Sequence, residues 1–230
     1  MTCVLALHLG HAPQSFGIVF PDGSKTVHEF ALSHRYSDHL VATIQAHLSL
    51  ATLSLKEVSH LCTTVGPGPS TACRMGLTLI KTLSQLLGLG IYTVTSLEAL
   101  LLNVLSFDGT YLTVYPSIKP LYHAQLWRIA SGKFKPLTHA FQWDTDAMCT
   151  QLGLFQTTVY VVGSWSDDLH NRLLDLSGCQ PIVTPVCTMA MARYSTDPAT
   201  QHFFRYTTEQ EARHMAPLYA YPPTQVNPIY

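Results

Sequence analysis

Four residues, Gly66-Pro67-Gly68-Pro69, constrain this chain more than any others. They stand between a short apolar run, His60–Val65, and a stretch of helical spacing from about Ser70 to Leu87. Two prolines and two glycines end a strand and cannot sit inside a helix, so the chain has to turn directly from one into the other. A strand–turn–helix unit is the building block of α/β layers. Around it, Cys3–Leu9, Ser15–Phe20 and Lys25–Phe30 read as three antiparallel strands, the last two joined by the turn Pro21-Asp22-Gly23-Ser24. Tyr36–Leu50 switches to helical spacing, with Val41, Ile44 and Leu48 on one side. Ser54-x-x-Glu57 and Thr95-x-x-Glu98 have the form of capping boxes, the second opening a helix Ser96–Leu105 after a strand Ile91–Val94. The order βββ-α-β-α-β-α predicts helices packed on a mixed sheet.

Asp108-Gly109 marks a turn and the expected boundary between a first domain, residues 1–107, and a smaller, more divergent second one, residues 108–230. Strands are expected at Tyr111–Tyr115, Ala124–Ile129, Lys133–Leu137 and Thr157–Val162, and a helix near Asp167–Leu176, a reduced repeat of the first half. Residues 217–230 hold Pro217, Pro222, Pro223 and Pro228 and are expected to be extended, packing back on the first lobe.

Composition narrows the function. Only 12% of residues are charged and the net charge is −1, which leaves no basic stripe for a run of phosphates. So few charges predict a partner-seeking surface. The first Lys or Arg is Lys25, which argues against a secretory leader. Thr82–Leu97, the most suspicious uncharged stretch, is too short to span a bilayer. Six cysteines without a CxxC pair read as buried thiols in a reducing cytoplasm.

No catalytic constellation emerges from the residues. Twelve histidines include no HxxxH or HExxH, and there is no G-x-S-x-G. Cys62 falls inside a buried strand, and Asp167 and Asp168 are adjacent, so they do not share a helix face. The Gly66–Thr71 loop is either a rigid turn or a cradle of backbone N–H groups for an anion. Arg74, in the first turn of a helix, opposes the helix dipole. Either a carboxylate of the fold or an anionic group on a partner compensates it, or it is a solvated surface residue. On a helical wheel Cys73, Leu77, Ile80 and Leu87 line one side, and Met75, Leu79, Leu83 and Leu86 a nearly opposite one. Arg74, Thr78, Lys81 and Gln85 form a polar stripe between them. A helix lying on a sheet needs one apolar face, so the second is covered by a neighbouring helix or by another chain.

The run Gly66-Pro67-Gly68-Pro69-Ser70-Thr71-Ala72-Cys73-Arg74-Met75-Gly76 resembles the GPGSFTGLRIG signature of the TsaB (YeaZ) family, and Val94–Leu100 resembles its VSSLEAL. Ser37-Asp38-His39-Leu40 stands where the family has an HSE-type helix start, and Ala216-Pro217-Leu218-Tyr219 resembles its terminal P-x-Y-L-R. The resemblance implies an α/β, two-lobed actin/Hsp70/sugar-kinase-like (ribonuclease H-like) fold with mixed sheets flanked by helices. It implies a non-catalytic, cytoplasmic bacterial subunit in the formation of N6-threonylcarbamoyladenosine in tRNA. Its expected partners are a TsaD-type transferase and a TsaE-type small ATPase, which would hold the ATP or ADP and the metal, while this chain alone binds no cofactor and touches tRNA only indirectly. Helices 36–50 and 70–87 would then meet the matching pair on the transferase, or on a second copy. The expected contacts are Arg74, Met75, Thr78, Leu79 and Thr82, with Leu40, Val41, Ile44 and His47 opposite; Gly66, Pro67, Gly68, Ser70, Thr71 and Gly76 form the signature loop. The family's Asp at the end of the first strand is His8 here, its DAR tripeptide corresponds to Ser117-Ile118-Lys119, its final Arg to Tyr221, and its Phe and Gly within the signature to Ser70 and Ala72. Two other readings follow from the superfamily, an ATP-dependent phosphotransferase and a peptidase-like hydrolase.

Overall fold

The computed structural model describes residues 2–31, 34–197, 201 and 204–216, the side chains of 34–38 excepted. The terminal motif around Ala216–Tyr219, Tyr221 and the proline-rich stretch therefore lie, but for Ala216, outside the described residues. The chain packs as two units, Met1–Ala99 with the segment from Cys187, and Leu100–Val186.

In the first unit β1 (Val4–His8), β2 (Gln14–Val19) and β3 (Lys25–Phe30) form an antiparallel meander. Next, β4 (His60–Thr64) adds parallel to β1, and β5 (Ile91–Val94) parallel to β4. A late strand, β12 (Arg205–Thr207), closes the far edge antiparallel to β5, giving the order β12-β5-β4-β1-β2-β3. Alternation along β1 and β2 puts Leu5, Leu7, Phe16 and Ile18 on one face. Two helices share that core: α1 (His34–Leu50) through Leu40, Ile44 and Leu48, and α2 (Ser70–Leu87) through Leu77, Ile80 and Leu83. Burying each such side chain is worth about 1.5–3 kcal/mol at most.

The opposite face of the same sheet is built from small residues. Ala6 pairs with Gly17 on one side and Cys62 on the other, making a shallow row across three strands. Onto it packs α6 (Thr188–Thr196), so close that a Cβ on Gly17 would lie 3.0 Å from Thr188 Oγ1. His60 Nε2 reaches the Ser195 carbonyl at 3.2 Å.

The second unit repeats the strand order. It begins within α3 (Ser96–Leu101) at Leu100, ahead of the expected break at Asp108-Gly109, because Leu100 packs against Gly163. The helix also stops at Leu101 instead of Leu105, although the expected Thr95–Glu98 capping box is formed, with N–H to side-chain bonds of 2.8 and 3.1 Å. Here β6 (Gly109–Pro116), β7 (Tyr122–Ala130) and β8 (Lys133–Pro136) form the meander; β9 (Phe141–Trp143) pairs with β7. After α4 (Thr145–Leu152) come β10 (Val159–Gly163), parallel to β6, then α5 (Asp167–Asp175) and β11 (Cys179–Val183), parallel to β10. The order β11-β10-β6-β7-β8 reproduces β5-β4-β1-β2-β3 of the first unit. The chain returns to the first unit at Cys187, so a single cut at 107/108 does not describe it. The last described helix is α7 (Glu209–Ala212), started by a Thr208–Glu211 capping box and packed beside α2.

A candidate partner-binding helix and the loop that sets it

The Gly66–Pro69 loop is fixed by hydrogen bonds to its carbonyls and by close backbone packing. The Ser96 amide donates to the Gly66 carbonyl at 2.7 Å, His11 Nε2 donates to the Pro67 carbonyl at 3.1 Å, and the Cys73 amide closes the first turn of α2 on Pro69. Gly66 and Pro67 are buried, while Ser70 and Thr71 are exposed at the helix start. A Cβ on Gly68 would lie 2.5 Å from the Gly10 carbonyl oxygen, so the loop after β1 presses directly against this one. Gly76 faces Leu9 in the same way at 3.3 Å. The chain's own backbone fills the space in front of Gly68, the close packing a rigid turn requires.

His8 stands at the end of β1, and its Nδ1 lies 2.8 Å from Thr64 Oγ1. Burial, with His11 adding to it, pushes its pKa down to about 3, so the ring is neutral at physiological pH. A neutral imidazole supplies none of the negative charge that a carboxylate offers a hard cation such as Mg²⁺. Among the described residues no group of three or more His, Cys, Asp and Glu is placed to hold a metal ion. Burial likewise raises the Cys73 thiol to about 11 and the Cys62 thiol well above its ordinary range.

The loop's rigidity orients α2, whose buried side is Ala72, Cys73, Gly76, Leu77, Ile80, Leu83 and Ser84. Leu83 thus belongs to the core and not to a second stripe. Lys81 leaves the expected polar stripe too: its ammonium donates to the carbonyls of Arg213 and Met215 at 2.8 and 3.1 Å, capping the end of the α7 segment. The α7 segment therefore closes the Lys81 flank of α2. Outward remain Arg74, Thr78, Thr82 and Gln85, with Leu86 75% exposed and Met75 and Leu79 half-buried at the rim and packed against the core.

The set expected on α1 divides differently. Leu40 and Ile44 are 2% and 1% exposed, spent on the core of this chain, and are corrected to core residues. The buried stripe runs Leu40, Ile44, Leu48, so Val41 turns outward at 44% exposed. His47 is half-buried, its ring 5.0 Å from that of His28 and edge-on to Phe16 at 5.3 Å. Sequence reasoning missed the locking residues Gly10, His11 and Ser96; no local pattern announces them, since each acts across distant segments. α4, α6, β9, β11, β12 and α7 were also unassigned, though Asp144 before α4 and the Thr208–Glu211 box before α7 are start signals.

Two sheets of one order, helices on their faces, and one helix with an outward arc over a locked loop define the class: an α/β protein made of two ribonuclease H-like units. Comparison with known proteins is more specific. A sequence model of the TsaD family, described as tRNA N6-adenosine threonylcarbamoyltransferase, matches residues 28–138. The tRNA threonylcarbamoyladenosine biosynthesis protein TsaB of Bacillus subtilis (strain 168) is 29% identical over 104 residues, 45% of this chain and 42% of that protein, so the match spans less than half of this relative's length. The structure of YeaZ from Pseudomonas aeruginosa superposes with a TM-score of 0.66 at 14% identity, covering 95% of this chain and all of that one. A second structure, described as similar to peptidase YEAZ from Pseudomonas aeruginosa, gives 0.68 at 13% identity over 96% of this chain and all of that one. The chain resembles the TsaB (YeaZ) proteins in sequence and in fold.

Proposed function

We propose that this chain is a TsaB-type subunit of bacterial N6-threonylcarbamoyladenosine formation, a non-catalytic partner that holds a TsaD-type transferase in its working state. Nucleotide and metal then sit on the transferase and on a TsaE-type ATPase, tRNA is bound through them, and the complex works in the cytoplasm. What supports this reading is one coincidence: the segment that matches the TsaD family model contains all of α2, the helix with an outward arc of Arg74, Thr78, Thr82 and Leu86. The same arc serves a homodimer when the transferase is absent. No described helix is long and apolar enough to cross a membrane.

Light scattering on a size-exclusion column, with this chain alone and mixed with the TsaD-type protein of its own source, tests it. A mixed peak at the heterodimer mass is expected. Thr78→Arg and Thr82→Arg, both on exposed positions, should split that peak with unchanged melting of the chain. Leu79→Glu is a poorer probe, because Leu79 also packs on the core. Two separate species under all conditions, with and without ATP and the small ATPase, would sink the proposal.

A further inference from the structure

The duplicated sheet offers a comparison within one molecule. In a sheet of this order the strands diverge at one point: β4 and β2 leave β1 on opposite sides, and β10 and β7 leave β6 likewise. The crevice beyond the carboxyl ends of the strands at such a switch point is where open α/β sheets take their ligands. In the first unit it is filled by Gly10 pressed against Gly68. In the second unit the equivalent strand ends in Gly163, as β4 is followed by Gly66, both at positive φ (+141° and +103°). There the loop after β6 stays clear of the start of α5, and a crevice of about 480 Å³ opens between them. Small-molecule sites have volumes of roughly 300–1,000 Å³.

We infer that this crevice of the second unit binds a small zwitterion with an apolar side group, a free α-amino acid being the simplest case. Its two walls carry opposite charges: Lys119 comes from the loop after β6 and Asp168 from the first turn of α5. A ligand with a carboxylate and an ammonium on one short frame answers both, whereas a simple anion or cation leaves one wall repelling it. Between them the lining is mostly apolar, with Leu121 and the Trp165 indole. Trp165 is held for this task, since its N–H points to His170 Nδ1 at 3.3 Å and the two rings lie nearly parallel, 18° apart. Two further lining residues are equally set: Tyr122 Oη and Ser166 Oγ are 2.8 Å apart, and Ser166 caps α5 by accepting from the Leu169 amide. These groups are preorganised before any ligand arrives, which lowers the entropy cost of binding.

The test is a titration of the full chain with L-phenylalanine and L-leucine, read by tryptophan fluorescence and by calorimetry. Saturable binding of both is expected, with N-acetyl-L-phenylalanine and L-phenylalanine methyl ester at least tenfold weaker. Trp165→Phe should remove the fluorescence change, and calorimetry on the same variant reports whether affinity falls. Lys119→Met should erase the preference for the free acid over the ester, and Asp168→Asn that for the free amine over the acetylated form. A merely structural role for either residue leaves those preferences intact, and circular dichroism of the unliganded variants checks the fold. No saturable binding up to the solubility of the amino acids, or equal binding of the blocked analogues by the unaltered chain, would overturn the inference.

Discussion

His8 ends β1 fully enclosed, and in the second unit His123 is 3% exposed on β7. Burial lowers their pKa values from about 6.5 to about 3 and about 4. The sign of the consequence follows from proton counting. Between pH 6.5 and 4 the unfolded chain binds these protons and the folded chain does not, so stability falls as pH falls. Each such group costs about 1.4 kcal/mol per pH unit inside that window. Urea unfolding at pH 7 and pH 4.5 should show this loss, and His8→Gln, which keeps a polar group beside Thr64, should flatten the dependence of its unit. An equal pH slope in that variant would mean that other groups set the acid limit. Residue by residue, the sequence could give the type of His8 but not its enclosure, because that depends on Thr64 from β4 and His11 from the next loop. Val41 and Leu40 show the same limit: adjacent apolar residues on one helix, and only the placement of the sheet decided which was buried.

Elements were legible wherever spacing, turns and caps agreed. The three opening strands, α2, β4, β5 and the Ser54–Glu57 and Thr95–Glu98 boxes lie where periodicity and capping chemistry put them. What spacing left out is the second face of the first sheet. α6 was invisible because it buries few large residues: Thr188 and the Met189 backbone come up against Gly17, in the row it forms with Ala6 and Cys62, and a close backbone approach replaces bulk. The energetic weight of that approach is measurable. Gly17→Leu should drive a side chain into Thr188, whose carbonyl carbon is 3.2 Å from the new Cβ, and cost about 1–3 kcal/mol in urea unfolding. Val27→Leu, on the exposed edge strand of the same sheet, is the neutral control. Similar losses in both would mean that the row of small residues is incidental.

At the scale of the molecule, the chain leaves its first unit at Leu100 and returns at Cys187. The first sheet is thus incomplete until the C-terminal segment arrives with α6, β12 and α7. A chain ending at Val186 leaves Gly17 without Thr188 packed on it, His60 without the Ser195 carbonyl and Lys81 without the Arg213 and Met215 carbonyls. Such a truncation should lose cooperative unfolding of the first unit, read as rapid proteolysis within residues 1–99 while the second unit stays protected. Retention of a sharp transition there would show that the returning segment is dispensable. The sequence alone determined that this is an α/β chain with a strand–turn–helix unit at Gly66–Pro69, because those signals act within a few residues along the backbone. Its resemblance to the TsaB proteins was carried by the same stretch. The tertiary structure alone decided that the two halves share one strand order, that Leu40 and Ile44 are core while Val41 and Thr78 face out, and that one switch-point crevice is closed and the other open. Each of those depends on contacts between segments far apart in the chain, and a side chain's solvent exposure is fixed by what packs against it, which no local pattern encodes.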